Sequence, residues 1–291
     1  MIDSITIKLL KTLQLGYDAL GEQAKQLMAD FIISQRSADG GFVNKQGESD
    51  LYYTAFGTLL QYIFNIKFNV EGLKNYLDQI DTEGLDLIHY AAYMRCRLLA
   101  SIAERSKLGA ALKILSRKEI REQQSFDVWP NNDKDSPYSK FIWHSLLEDT
   151  RNDKDSSTEN VSALEEYTVP NGGFSNLKGQ TIASANATSA ALMVMGQING
   201  YDKESQGIAY LLKSQLPSGG FKAADNTHMP DLLSTATALF TLRCYGVQPR
   251  YSAQEFIEAH WLDNGGFGAT ILDSSSDVEY LFYGLLALGT L

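Results

Sequence analysis

Acidic side chains stand at the starts of several apolar segments of this 291-residue chain. One segment begins at Asp231, and the last begins at Asp277 and carries Glu279 two residues later. A carboxyl group in an apolar, aromatic surrounding holds its proton to higher pH and can act as a general acid. Glu279, Asp277 and Asp231 are therefore the candidate catalytic residues.

The aspartates at these positions also have a purely structural interpretation. Aspartate is a preferred N-cap, because its carboxylate accepts backbone N–H bonds and suits the positive end of the helix dipole. Four apolar segments begin in this way, at Asp50, Asp86, Asp231 and Asp277. We expect at least three of these four side chains to cap helices.

Aromatic and histidine side chains are frequent in the same apolar segments. Their ring faces can stabilise a cation or hold a long hydrocarbon chain. A helix buried on both sides, however, needs large side chains for packing alone. The predicted ligand-binding residues are Tyr53, Phe56, His89, Tyr93, Trp143, His144, Tyr280 and Tyr283.

The elements that position these residues follow from an internal repeat. Gly-Gly-Phe occurs four times, ending at Phe42, Phe174, Phe221 and Phe267, with spacings of 132, 47 and 46 residues. The long interval is close to three short ones, so we expect two further units within it. The glycine pair lets the chain reverse after a helix, because glycine reaches positive φ without a Cβ clash.

Apolar and amphipathic segments alternate with this period. The apolar segments carry hydrophobic residues nearly all round and predict buried helices, whereas the others have the 3.6-residue spacing of a helix with one wet face. The apolar helices begin near 50, 86, 137, 185, 231 and 277, the amphipathic ones span roughly 21–35, 69–80, 104–125, 158–168, 202–215 and 251–261, and an extra helix lies near 5–15. This pattern predicts a double layer of helical hairpins, with an open superhelix as the alternative.

Composition and charge limit the classes of protein to which this chain can belong. The hydrophobic share of 44% and the charged share of 21% are typical of a globular chain, and the net charge of −10 argues against binding nucleic acid. Cys96 and Cys244 lie too far apart in sequence for a disulfide framework or a metal knuckle. The sequence contains no leader pattern and no apolar run long enough to span a membrane, so we expect a cytoplasmic protein.

Gly-Gly-Phe before an apolar helix, with Gln35 or Gln215 ending the preceding amphipathic helix, resembles the repeat of prenyltransferases and squalene cyclases. The resemblance covers nearly the whole chain and is strongest over 170–291. It implies an all-α (α/α)6 barrel, a toroid of six helical hairpins with inner and outer rings and a central apolar cavity. We expect residues 1–291 to form one such domain, with 149–160 as a polar surface insertion.

The resemblance also allows the family's catalytic motifs to be tested. Protein prenyltransferases bind zinc through Asp-x-Cys and a later Asp-x-x-His; this chain retains Asp231 but has Leu233 and Tyr280 in place of the other two ligands. We therefore predict no metal site and no cofactor. Class II cyclases use Asp-x-Asp-Asp as the acid motif, and Leu233 replaces the central acid there, whereas Glu279 holds the central position in the last repeat.

Cationic side chains for a diphosphate are sparse. Lys45, Lys178 and Lys222 lie in the loops of three different repeats, and Arg95 and Arg97 lie further along their helix. A diphosphate requires clustered cations. The sequence thus gives little support for a diphosphate site.

Three functional hypotheses follow. The first is a protein that binds an isoprenoid or similar apolar ligand in the central cavity, as a prenyltransferase-like transferase with a helical protein partner or as a class II terpenoid cyclase. The second is a non-catalytic scaffold for an apolar ligand or a protein. The third is carbohydrate chemistry between two carboxylates, which other (α/α)6 barrels perform.

Overall fold

Twelve helices lie within the residues that the computed structural model describes, which are 3–105, 136–150 and 157–291. They are α1 (Ile5–Ala19), α2 (Glu22–Ser34), α3 (Leu51–Ile63), α4 (Val70–Leu77), α5 (Leu87–Arg105), α6 (Pro137–Thr150), α7 (Ser157–Glu165), α8 (Ala185–Asn199), α9 (Gln206–Ser214), α10 (Leu232–Tyr245), α11 (Gln254–Glu258) and α12 (Val278–Leu288).

The six apolar helices form a closed inner ring. Helix α3 packs against α5, and the series continues through α6, α8, α10 and α12. Helix α12 then packs back against α3. This closure confirms the toroid and rules out the open superhelix, because an open stack would leave α3 and α12 apart.

The amphipathic helices form the outer layer. Helices α2, α4, α7, α9 and α11 each bury one face against an inner helix. The predicted amphipathic helix at 104–125 does not begin at 104, because residues 104 and 105 belong to the last turn of α5. Residues 106–125 lie outside the described part of the chain.

The Gly-Gly-Phe turns connect the two layers. In three repeats the phenylalanine N–H donates a hydrogen bond of 2.9 Å to a threonine Oγ1 in the following inner helix, and these pairs are Phe42–Thr54, Phe174–Thr188 and Phe221–Thr235. Gly40 has a φ of 102°, and a Cβ there would lie 2.1 Å from the Gly72 carbonyl oxygen. Glycine is therefore required by both the backbone conformation and the close approach of α4.

Two short hairpins accompany these turns, although the strand signals in the sequence are weak throughout. Strand β1 (Phe42–Val43) pairs with β2 (Ser49–Asp50), and β3 (Phe221–Lys222) pairs with β4 (Pro230–Asp231), both antiparallel. Strands of two residues are too short to show alternating hydrophobicity. The hairpins hold the phenylalanine of each turn next to the aspartate that starts the next inner helix.

The extra N-terminal helix crosses one end of the ring. Helix α1 contacts the inner helices α3, α6, α10 and α12. Its partners lie near the C-terminal ends of those helices: the Ile5 N–H donates to Glu148, and Gly16 packs against the Leu285 carbonyl. The N-terminal ends of the inner helices therefore lie at the opposite end of the barrel.

Both ends of the segment 149–160, predicted as a polar surface insertion, lie in helices. Residues 149 and 150 belong to α6, and residues 157–160 belong to α7. Asp149 is buried and accepts a hydrogen bond of 2.7 Å from the Thr6 hydroxyl, so this acid anchors α1 and does not face solvent. Residues 151–156 lie outside the described ranges.

Candidate active site

The first turns of α3 and α12 bring an acid and several aromatic rings together. The Tyr52 hydroxyl donates a hydrogen bond of 2.8 Å to Glu279 Oε1. Phe56, one turn further along α3, lies edge-on to Tyr52 and to Phe282, with ring centroids 4.9 Å apart in both pairs. Glu279 is therefore held at the edge of an aromatic cluster.

This cluster lies on the axis of the barrel. Tyr138, on α6, and Tyr283, on α12, both lie within hydrogen-bonding reach of Tyr52 on α3. Helix α6 is adjacent to neither α3 nor α12 in the ring, so contacts among the three helices cross the interior. Tyr52, Phe56 and Tyr138 each keep part of their surface accessible.

Burial raises the pKa of the Glu279 carboxyl above its ordinary value. The hydrogen bond from Tyr52 and the charge of Lys45 act in the opposite direction, whereas the nearby carboxylates of Asp277 and Asp50 raise the pKa further. Among the described residues, none donates a hydrogen bond to the second carboxyl oxygen, Oε2. Glu279 therefore keeps its proton to higher pH and has a free oxygen on which to carry it.

Asp277 has a structural role at the start of α12. It is 1% exposed, and its Oδ1 accepts a hydrogen bond from the Tyr280 N–H. Its Oδ2 lies 3.7 Å from Lys45 Nζ and has no hydrogen-bond partner among the described residues. Burial raises the pKa of Asp277, and the hydrogen bonds and Lys45 oppose this shift.

Lys45 links the first and last repeats at the end of the barrel opposite α1, which we call the mouth. Its Nζ lies 4.9 Å from the centre of the Tyr280 ring and 3.6 Å from Asp273. Burial raises the pKa of Tyr280 to about 12, so its hydroxyl is neutral near pH 7. Tyr53 stands beside this group, with its ring edge-on to Tyr52.

Asp231 caps α10 and lies apart from the hydrogen bonds around Glu279. Its Oδ1 accepts from the Ser234 N–H at 2.7 Å, and its Oδ2 accepts from the Ser234 hydroxyl at 3.0 Å. Burial raises its pKa, and these hydrogen bonds and His260 lower it. Asp50 and Asp86 also accept N–H bonds from the helices they precede, so all four aspartates are caps as the sequence predicted.

Two of the predicted ligand-binding residues on α5 lie away from the cluster. His89 is half-buried, and its Nδ1 lies 2.8 Å from Asp86 Oδ1. The Tyr93 hydroxyl accepts hydrogen bonds from Arg97, which pairs with Asp78 at the end of α4. Tyr93 therefore faces the outer layer.

Two more of the predicted ligand-binding residues, Trp143 and His144 on α6, also lie away from the aromatic cluster. Trp143 packs in the interface between α5 and α6. The Nε2 of His144 lies 3.8 Å from Glu148 Oε1, near the end covered by α1, and burial lowers the His144 pKa. The structure thus groups Glu279 and Asp277 with Tyr53, Phe56, Tyr280 and Tyr283, and it places the other four elsewhere.

Sequence reasoning did not single out Tyr52, Tyr138 and Arg95 as site residues. The Arg95 guanidinium donates a hydrogen bond of 2.7 Å to Ser145, which follows Tyr138 by two helical turns. Positions seven residues apart lie on one helix face, so the pair Tyr138 and Ser145 was a signal in the sequence. Nothing in the sequence showed that this face points toward the axis.

The described residues do not fit the zinc site of protein prenyltransferases. Both carboxyl oxygens of Asp231 are occupied by Ser234, and Leu233 and Tyr280 replace the thiolate and imidazole ligands. The described ranges hold no group of three His, Cys, Asp or Glu side chains suited to a metal ion. None of the helices in the described ranges is long and apolar enough to cross a membrane.

Solved structures resemble this chain along nearly its whole length. A glycosidase variant with bound glucose is 11% identical with a TM-score of 0.54, and the match covers 100% of this chain and 98% of that one. A protein from Actinoplanes is 14% identical with a TM-score of 0.53, covering 92% and 97%. The type II terpene cyclase MstE from Scytonema is 14% identical with a TM-score of 0.50, covering 97% of both chains. At such identities the likeness shows the fold alone.

The family comparison is more specific. No curated protein matched the sequence. The model of the prenyltransferase alpha-alpha toroid domain matches residues 4–85 and 138–291, which include five of the six inner helices. With the closed double ring of helices and the Gly-Gly-Phe repeats, this match shows that the chain belongs to the prenyltransferase alpha-alpha toroid family.

Proposed function

We propose that the chain is a class II terpenoid-cyclase-like enzyme that takes an isoprenoid or similar apolar ligand into the barrel and protonates it with Glu279. The observation that carries the proposal is the state of this carboxyl group. It is largely buried beside aromatic rings, its pKa is raised, and Tyr52 fixes one of its oxygens while the other is free. These are the properties of a positioned general acid.

The reaction begins when the proton on Glu279 moves to one carbon of an alkene. The π electrons form the new C–H bond and leave a cation on the neighbouring carbon. A second alkene of the same ligand attacks this cation and forms a C–C bond, and the final cation loses a proton to water. The product is an isomer of the substrate, and a proton from solvent restores Glu279.

The aromatic cluster suits such a cation. The faces of Phe56, Phe282 and Tyr283 carry negative electrostatic potential and attract positive charge. Their edge-on packing fixes the ring orientations before the ligand arrives. The hydroxyl groups of Tyr52 and Tyr283 stay neutral because burial raises their pKa values.

The non-catalytic scaffold remains the second candidate. It is supported by the loss of the central acid at Leu233 and by the commitment of Asp231 and Asp277 to capping. A scaffold would bind the ligand without changing it, and Glu279 would then contribute only its hydrogen bond to Tyr52.

The test is to incubate the protein with linear C15 and C20 isoprenoids and to search by gas chromatography and mass spectrometry for cyclic isomers of equal mass. We expect Glu279→Gln to lower turnover by about 100-fold or more. Its dissociation constant for the substrate should stay within about threefold of the wild-type value, because glutamine keeps an oxygen for Tyr52. Glu255→Gln, an exposed carboxylate of α11, is the matched control and should leave turnover unchanged.

Binding without turnover by the wild-type protein would favour the scaffold. Turnover that survives Glu279→Gln would overturn the assignment of the acid. Failure to bind any of these isoprenoids would overturn the proposed function as a whole.

A further inference from the structure

Arg95 is a charged residue in the middle of the inner helix α5. We propose that Arg95 binds a carboxylate on the ligand, so that the substrate is an isoprenoid acid. This inference rests on the proposed function, because it places the ligand in the same interior that Glu279 faces.

Arg95 lacks the negatively charged partner that an arginine inside a protein normally has. Its Nη2 donates to the Ser145 hydroxyl, but its Nε is buried and makes no hydrogen bond to a described residue. None of the carboxylates in the described ranges forms an ion pair with it. Arg97, two residues further along α5, is fully engaged by comparison: it pairs with Asp78 at 3.0 Å and donates to Tyr93.

An incompletely satisfied guanidinium is costly to keep inside a protein. Its desolvation is offset only when hydrogen-bond acceptors or an opposite charge replace the lost water. Ser145 supplies one neutral acceptor and no charge. A carboxylate would supply both the acceptor for Nε and the missing negative charge, in the planar geometry that arginine matches.

Arg95 is also placed where a ligand of the proposed site would reach it. The charge of Arg95 lowers the pKa of the Tyr138 hydroxyl, and the charge of Glu279 raises it. Both groups therefore lie close enough to one hydroxyl, on the barrel axis, to influence it. A ligand whose alkene lies at Glu279 would extend past Tyr138 and present its other end to Arg95.

The charge balance favours a carboxylate over a diphosphate. A diphosphate needs several cations to neutralise it. Two other cations of the described residues are already engaged, because Lys45 lies near Asp273 and Asp277 and Arg97 pairs with Asp78. One guanidinium with a vacant N–H matches a single negative charge.

The experiment compares three probes of equal chain length: farnesoic acid, farnesol and farnesyl diphosphate. Their dissociation constants are measured by titration calorimetry with the wild-type protein, with Arg95→Met and with Arg97→Met as the matched control on the same helix. We expect the wild-type protein to bind the acid at least tenfold more tightly than the alcohol. Arg95→Met should remove that preference while changing affinity for the alcohol less than threefold, and Arg97→Met should preserve it.

A second measurement does not depend on any variant. The affinity of the wild-type protein for farnesoic acid should fall as the pH is lowered through the pKa of the ligand carboxyl, whereas the affinity for farnesol should not follow that titration.

Arg95→Lys, which keeps the charge but not the planar donor pair, should retain part of the preference for the acid. Thermal unfolding of each variant establishes that it is folded.

The failures of the two proposals are distinguishable. If farnesol binds and farnesoic acid binds no better, the carboxylate inference is overturned and the proposed function stands. If the diphosphate is preferred and Arg95→Met abolishes that preference, the anion site exists but its assignment to a carboxylate is wrong. If none of the three probes binds, the proposed function itself fails.

Discussion

Three carboxyl groups of this protein, Asp231, Asp277 and Glu279, share a raised pKa with burial as its main cause. They differ in the groups that donate hydrogen bonds to their carboxyl oxygens. Both aspartates accept backbone N–H bonds at a helix start, whereas the bond to Glu279 comes from a tyrosine hydroxyl. At the scale of the residue, the difference between a cap and a candidate acid is therefore one of orientation and not of pKa.

The pKa of Glu279 predicts a pH dependence of stability. Its pKa is raised in the folded protein, so the folded state holds this proton more tightly than the unfolded chain does. The associated stability is fully present below the unfolded pKa of about 4.3 and is lost as the pH rises through the folded value. Relative to Glu279→Gln, the wild-type protein should lose unfolding free energy between about pH 4 and the folded pKa.

Urea unfolding of both proteins over that range measures the difference. A difference that does not change with pH would show that burial does not hold the proton on Glu279. The same carboxyl would then be ionised near neutrality, and the proposed proton transfer would lose its donor.

At the scale of the element, the four inner helices that follow a Gly-Gly-Phe turn, α3, α8, α10 and α12, share a short sequence pattern in their first two turns. The cap residue is followed four positions later by a threonine in three repeats, as in Asp231 and Thr235. Seven positions after the cap, each of these four helices has glycine or alanine. A Cβ at Gly284 would lie 2.5 Å from the Phe267 ring. Cap, threonine and small residue together fix the Gly-Gly-Phe turn to the helix that follows it.

The threonine of this pattern can be tested by an isosteric change. Thr235→Val removes the acceptor of the buried Phe221 N–H, and leaving that donor unpaired should lower the free energy of unfolding by about 1–3 kcal/mol. Thr241→Val is the control, because the hydroxyl of this buried threonine donates only to the Thr237 carbonyl of its own helix. Chemical denaturation should show a clearly smaller loss for the control, and equal losses would mean that the turn is not held by this bond.

At the scale of the whole molecule, two contacts join the ends of the chain. Lys45 of the first repeat reaches Asp277 of the last at the mouth of the barrel. At the other end α1 crosses α12 so closely that a Cβ at Gly16 would lie 2.2 Å from the Leu285 carbonyl oxygen. The ring is therefore closed by side chains at one end and by two helix backbones at the other.

Gly16→Ala tests the backbone closure. The new methyl group would meet backbone atoms that cannot rotate away, so the helices must separate, and overpacking of this kind costs about 1–3 kcal/mol. The gain in helix propensity, about 1 kcal/mol, offsets only part of that cost. Gly84→Ala is the control, since nothing lies within 4 Å of its added Cβ. Guanidinium unfolding that shows no loss for Gly16→Ala would mean that α1 is not needed to close the ring.

The sequence by itself determined the repeat, the starts of the inner helices and the aspartate caps. These features depend on neighbours within about seven residues. A turn, a 3.6-residue period and a helix cap can therefore each be identified from one short segment of the sequence. Glu279 was predicted as a site residue because it holds the acid position of the motif that the chain resembles, and Tyr283 because it is an aromatic residue of an inner helix.

Only the tertiary structure decided which side chains meet on the axis. Each inner helix is apolar nearly all round, so its hydrophobic pattern does not determine which face points toward the barrel axis. The rotation of α5 and α6 in the closed ring brings Arg95 and Tyr138 toward Tyr52 and Glu279, while Tyr93 turns toward the outer layer. Contacts between helices that are distant in the chain depend on this rotation and on ring closure, which no local pattern encodes.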